Sequence, residues 1–376
     1  RNCDLCGERF ISLFPKDASY IVYCPTCWWS DKWDWRDYGI DYDFSKPFFQ
    51  QFNEQMHKVP LLGLSINSTT TIGSPYNNHA ADLKNCYLTF DSDFNQDCAY
   101  GAFLTGNKEV INCSMTMDTE SSYDCMNIFK SNGCVGTRGN HRFGLNNLFC
   151  RDCDNCTDCI GCTNLRNQKY CIFNKQYSKE EYQKIKSDYN LGSWSGYEKL
   201  KNESENFWMS QSPKPAYDDM SQDSTGSYVF QSKNCKECYD VSDCEDCKFL
   251  LMMYRKPQKN CYDVSAFGYA IENAYECGAI FEFVTNVKFS QESGIHLLNA
   301  EYCKQSLGGQ DHFGCVSVRK GNYVIFNKEY SKKEYQNLRE KIIAHMDEMP
   351  YTDKAGNIYK YGEFFPMEFS PLPYNK

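Results

Sequence analysis

The residues best placed to do chemistry are four cysteines near the start of the chain. They fall as Cys3-Asp-Leu-Cys6-Gly7 and, seventeen residues on, Cys24-Pro-Thr-Cys27. Two Cys-x-x-Cys knuckles, one followed by glycine and the other containing proline, suit a tetrahedral ion held by four thiolates. Zinc is the expected metal. Four protein donors leave no coordination position for a substrate, so such an ion is structural. The other readings of these residues are redox-active dithiols or a disulfide framework.

A second group is Cys150, Cys153, Cys156, Cys159 and Cys162, spaced by three. Iron–sulfur proteins use similar runs, so a cluster or a second metal is one reading. The spacing never breaks to the x3-Cys-Pro expected of such a run. The competing reading is turn and core positions of tight coils, because a period of three cannot keep one face of a regular strand. Cys235, Cys238, Cys244 and Cys247 invite the same two readings, and their five-residue spacer is short for a zinc ribbon. Arg138, Arg166 and Arg319 each stand four residues after the cysteine of a Gly-Cys pair. An arginine there could bind backbone carbonyls at a turn, or grip an anion or a partner. Trp28, Trp29, Trp33, Trp35, Tyr38, Tyr42 and Phe44 could stack on bases. They are interleaved with Asp31, Asp34, Asp37, Asp41 and Asp43, which repel phosphate, so packing on the ribbon is the favoured role. No nucleophile elbow, phosphate loop or dinucleotide fingerprint occurs. The expectation is a non-enzymatic protein.

The elements that carry these residues are repeats. Asn85-Cys86 and Asn112-Cys113 lie 27 residues apart, as do Asp97-Cys98 and Asp124-Cys125. In the second half, Cys235 and Cys261, then Cys277 and Cys303, lie 26 apart. A fixed period of this size means stacked copies of one small unit. Alternating stretches such as Tyr87-Leu88-Thr89-Phe90 read as strands with one buried face. The fold class expected is mainly β: an N-terminal zinc ribbon followed by a duplicated Cys-rich β-solenoid of about 26-residue coils, with capping helices. An open repetitive sheet or a β-sandwich is the alternative. Each array ends in one long motif. Gly161-Cys162-Thr-Asn-Leu-Arg166 leads to Tyr170-Cys-Ile-Phe173-Asn174, and Gly314-Cys315-Val-Ser-Val-Arg319 leads to Tyr323-Val-Ile-Phe326-Asn327. Ser178 with Glu181, and Ser331 with Glu334, then form capping boxes that start a covering helix. Ser45 caps a further helix, with Phe48, Phe52 and Met56 on one face.

The domain order expected is a ribbon with aromatic extension (1–44), a helix and connection (45–75), a first array with its capping helix (76–190), a linker (191–226), a second array with its helix (227–349) and an extended tail (350–376). At 376 residues the chain is long enough for several such parts. A net charge of −9 argues against a chain wrapped in nucleic acid or lying on an anionic membrane. No apolar run approaches the roughly 18 residues of a membrane span. The 23 cysteines are odd in number and sit in a chain with ample core, which favours reduced thiols plus zinc over a secreted disulfide framework.

The run Val22-Tyr23-Cys24 to Asp34, the run Tyr42 to Phe49, the Asn-Cys-Tyr units, the Arg166 to Tyr182 stretch and the Tyr361 to Pro366 tail carry a resemblance over nearly the whole chain. Together they resemble the zinc-ribbon, Cys-rich-repeat proteins of candidate-phyla bacteria of the Patescibacteria type. The resemblance implies zinc, a cytoplasmic setting and further ribbon-like segments beyond both ends, so that a fragment is the expectation for this chain. It implies no reaction. The function expected is therefore a scaffold or interaction module with a protein partner, with homo-oligomers compatible. Four alternatives stay open: association with nucleic acid or the ribosome, an acidic mimic of nucleic acid, a metal or redox protein using the clustered cysteines, and an extracellular disulfide-bonded assembly.

Overall fold

A computed structural model describes residues 1–67, 70–248, 251–253, 258–259, 278–280 and 284–370. Cys261 and Cys277, which helped set the 26-residue spacing, lie outside the described residues. The chain is mainly strands with few helices. It divides into two compact units, Ser65–Pro215 and a second made of Arg1–Leu64 with Ala216 onward.

In the unit Ser65–Pro215 the strands pair in parallel with a fixed step. Asn78–Ala81 pairs with Tyr87–Asp93, that strand with Ala99–Thr105, and the ladder continues through Ser114–Met117, Met126–Phe129 and Arg138–Arg142. The partners differ by twelve residues, as in Tyr87 with Ala99 and Ser114 with Met126. The expected 26-residue coil is thus corrected to a twelve-residue step. The 27-residue spacing of the Asn-Cys pairs is two such steps plus three residues, so Cys86 and Cys113 are not stacked on each other. Cys86 and Cys98, twelve apart, are neighbours in the ladder.

Three-residue punctuation produces this step. From Asp82 to Phe173 every third residue has a left-handed backbone, with one extra residue between Gly139 and Phe143. That insertion stretches the local pairing to thirteen, as in Asn132 with Leu145. Every described array cysteine directly follows a left-handed residue, such as Asn85, Asp97, Asn112, Asp124, Gly133 or Gly161. Asn, Asp and Gly tolerate this conformation best, which is why they precede cysteine so often. The turn residues also stack. Asn85 Nδ2 donates to Asp97 Oδ1 (3.0 Å), Asn112 to Asp124 (3.2 Å) and Asn155 to Asn167 (2.7 Å). The residue after each turn points inward, small at Cys86 and Cys98 and larger at Leu104, Val110 and Ile128, which are fully buried and contribute roughly 1.5–3 kcal/mol each.

The second unit also pairs its array strands in parallel, with a step that varies from eleven to thirteen residues. Gln291–Glu301, Leu307–Phe313 and Arg319–Ile325 pair in parallel, with Leu307 opposite Arg319. Gly226–Phe230 and Cys238–Ser242 pair at the same twelve-residue step.

Among the described residues five helices flank the strands: α1 (Pro25–Trp28), α2 (Phe48–Met56), α3 (Lys179–Asp188), α4 (Trp194–Met209) and α5 (Lys332–Glu348). Both capping boxes form, at Ser178 with Glu181 and at Ser331 with Glu334. Helix α2 begins three residues beyond Ser45, whose hydroxyl instead donates to Asp43 at 2.7 Å. Its Phe48, Phe52 and Met56 are buried as the spacing predicts. Within 191–226, expected as a linker, α4 buries Leu200 and Trp208 against Leu148, Ile160 and Ile172 of its own unit. The tail holds a small hairpin, Tyr351–Thr352 with Ile358–Tyr359, rather than a plain strap.

Candidate metal centre

The two knuckles are built by tight backbone turns. The Gly7 amide closes the first on Cys3 O at 2.9 Å, with a left-handed φ of +77° that favours glycine. In the second, Cys24 caps α1, Pro25 occupies its first turn, and the Trp28 amide reaches Cys24 O. Val22–Tyr23 pairs with Leu61–Leu62 and fixes the second knuckle to the body. The Cys24 amide donates to Cys3 Sγ at 3.2 Å, joining the knuckles.

The Sγ atoms of Cys3, Cys6, Cys24 and Cys27 all lie within 4.8 Å of one another, and Cys6 to Cys24 is 4.0 Å. A disulfide needs about 2.05 Å. Four sulfurs at about 2.3 Å from a central ion stand roughly 3.8 Å apart, so the spacing fits a tetrahedral metal set. These four residues could hold a metal ion. Burial raises the Cys3 thiol, but the amides of Cys24, Cys6 and Leu5 outweigh it and lower its pKa to about 7. Burial first, then the neighbouring sulfurs, pushes Cys27 up. A cation at the centre would favour the thiolate at all four.

The other cysteine groups are arranged differently. Among the described residues, only the first four bring three or more ligand atoms together in this way. The thiols of Cys150, Cys153, Cys156, Cys159 and Cys162 each donate to the carbonyl two residues back, at 3.6, 3.5, 3.4, 3.5 and 3.3 Å. Cys235, Cys238, Cys244 and Cys247 do the same at 3.4–3.7 Å. Ser92, Ser122, Ser131 and Ser232 occupy equivalent sites and make the same bond. Burial raises the Cys150 and Cys134 thiols, the latter to about 11. Cys162 moves the other way, lowered by its side-chain interactions with the neighbouring Cys150 and Cys159. No disulfide at bonding distance joins the described cysteines.

The three arginines have three fates. Arg138 pairs with Asp124 at 3.3 Å, and Tyr197 OH donates to the same carboxylate at 2.6 Å. Arg166 is exposed. Arg319 donates to Trp28 O at 2.7 Å, to Ser30 O at 3.4 Å and to Trp33 O at 3.2 Å, with its guanidinium 4.7 Å from the Trp33 ring centre. It fastens the tryptophan segment to the strand Arg319–Ile325. Trp35 Nε1 returns a bond to Arg319 O at 3.0 Å. Trp28, Trp33, Trp35 and Tyr42 are buried, so this cluster packs rather than presenting rings to solvent, while Trp29 and Phe44 stay exposed.

The sequence motif ending in Phe-Asn hid a further role. Asn327 Oδ1 accepts from Val316 N (2.9 Å) and its Nδ2 donates to Val316 O (2.7 Å). Asn174 does the same to Thr163, at 2.9 and 3.0 Å. One side-chain amide stands in for the backbone of a further strand and closes the ladder there. The recurrence of asparagine at the same place in both motifs was the available signal.

No helix among the described residues is long and apolar enough to cross a membrane. Compared with protein-family models and with curated proteins, the chain matches none.

Proposed function

We propose that the chain is a non-enzymatic scaffold: a zinc ribbon fastened to a duplicated Cys-rich β-solenoid that presents interaction surfaces. Left-handed residues every three positions and parallel pairing every twelve support turns with four short sides. The eight-stranded and six-stranded sheets are then walls of such turns. Stacked turns of this kind give long, regular surfaces suited to partners. The observation that carries the reading is the contrast between two kinds of cysteine. Four converge at metal-ligand spacing, while the array thiols act as inward serine-like donors. Zinc fits a closed set of four sulfur donors, and the ion would staple the ribbon. A reducing compartment, the cytoplasm, suits an array of free thiols.

Elemental analysis of protein purified without added metal, with thiols counted on the same sample, tests this. One zinc per chain, no iron and free array thiols are expected. Iron, or two metals per chain, would instead favour a metal or redox protein using the 150–162 and 235–247 groups.

A further inference from the structure

The two terminal motifs, 161–182 and 314–335, align without gaps at an offset of 153 and share Arg166 with Arg319, Phe173 with Phe326, Asn174 with Asn327 and Lys175 with Lys328. Around the second motif the face is covered. Besides the Arg319 bonds, Ile40 N donates to Phe326 O at 3.1 Å and Lys328 pairs with Asp41 at 2.6 Å. Arg36 pairs with Glu329 at 3.1 Å. Gly39 passes so close that a Cβ on it would stand 2.7 Å from Asn327 O. The covering segment is 28–41, rich in tryptophan and carrying Asp31, Asp34, Asp37 and Asp41.

Around the first motif the same groups are open. Asn174 caps Thr163 as Asn327 caps Val316, yet Asn174 is exposed and Asn327 fully buried. Arg166, Lys175 and Gln176 are exposed, and Phe173 is half-buried, packed from one side by Phe207 of α4. Phe326 receives the matching contact from Phe48 of α2. So the helix contact is present in both copies, and the tryptophan-segment contact is made in only one. Sequence differences move charge both ways: Asn167 replaces Lys320 and Glu180 replaces Lys333, but next to Lys175 an acid is lost. Lys169 replaces Asn322 and Gln176 replaces Glu329. Asp154 stands where Leu307 does, but it is paired with Arg142 at 3.3 Å.

We propose that the face formed by Arg166, Phe173, Asn174 and Lys175 docks an acidic, tryptophan-bearing segment of a partner protein. The guanidinium takes its backbone carbonyls and one indole, as Arg319 takes those of 28–41. Gln176 has no charge for an arginine at the position of Arg36, so the preferred partner is more acidic than 28–41 itself. This inference rests on the scaffold reading and names the kind of partner.

The test uses the full chain as purified, titrated with a fluorescein-labelled peptide of sequence 28–41 and with its Arg36→Gln form. Expected is saturable binding at one site, tighter for the Gln form, and weakened at least about tenfold by Arg166→Glu. Asn174→Ala should weaken it less. Arg166 is exposed, and an unchanged circular dichroism spectrum checks that the variant folds. No saturable binding up to about 1 mM, or binding that Arg166→Glu leaves untouched, overturns the proposal. Displacement of the peptide by a single-stranded RNA whose own binding needs Arg166 also overturns it and assigns the face to nucleic acid. Metal content is read separately. Peptide binding without zinc would sink the ribbon reading alone, and zinc without peptide binding would sink this inference alone.

Discussion

Residues 161–182 and 314–335 are near copies with different surroundings. In the second copy, Arg319 and Asn327 are locked beneath a tryptophan segment, and Asn327 is fully buried. In the first, the equivalent Arg166 and Asn174 face solvent. The same side chains therefore serve as cement in one place and as surface in the other. A motif specifies donors and acceptors, while what arrives to satisfy them depends on the rest of the fold.

The most disruptive way to break the comparison is to empty the four-cysteine site of the metal proposed for it. Cys27→Ser, or a strong chelator, should loosen the ribbon and free the tryptophan segment from Arg319. Structural zinc sites contribute folding energy directly, so several kcal/mol should go. The expected readout is a red-shifted tryptophan emission and a large fall in melting temperature, with the first copy's helices retained. Unchanged emission after metal loss would mean that the ribbon stands without its ion.

Acid should act on both units alike. His141 in one unit and His312 in the other are fully buried, and burial lowers each pKa to about 4, slightly offset by Cys156 near His141 and by the Gly321 carbonyl and Glu329 near His312. Because the folded pKa lies below the unfolded value of about 6.5, the unfolded chain binds the extra proton. Stability should thus fall as pH drops from about 6.5 to 4 and be flat above that window, by about 3 kcal/mol for each histidine. Replacing either with glutamine and repeating the pH series of denaturation midpoints checks this.

Arginine replacement separates the copies most directly. Arg319→Ala should cost about 2–3 kcal/mol, because carbonyls of Trp28 and Trp33 lose their donor beneath packed indoles. Arg166→Ala should fall within about 0.5 kcal/mol of the parent. Equal costs in urea denaturation would sink the view that only one face is covered. Asparagine replacement should show a smaller contrast. Asn327→Ala leaves the Val316 amide and carbonyl without partners in a buried site, at about 2 kcal/mol, against about 1 kcal/mol for Asn174→Ala, where water can substitute.

The smallest effect is expected inside the arrays. Cys150→Ser should keep the bond to Leu148 O and change stability by no more than about 1.5 kcal/mol, with metal content unchanged. Loss of metal from that variant would mean that the central thiols are ligands.

Much of this was legible in the chain itself. Cys-x-x-Cys spacing pointed to the four sulfurs that the fold gathers, because such knuckles are local turns whose geometry the intervening residues fix. Ser178, Glu181, Ser331 and Glu334 marked helix starts for the same local reason. Asn-Cys and Asp-Cys pairs revealed repetition, since a left-handed turn followed by a small inward residue is a short-range requirement. The step length was misjudged. Twelve and twenty-seven both recur in the cysteine positions, and only pairing shows which spacing stacks one residue on its neighbour. The tertiary structure alone decided which arginine is covered and which is open, that Asn327 closes a ladder while buried, and that the 150–162 sulfurs serve carbonyls. Those outcomes depend on contacts between residues as much as 292 positions apart. Side-chain chemistry is written locally, but burial is a property of what packs against it, and no local pattern in the chain carries that.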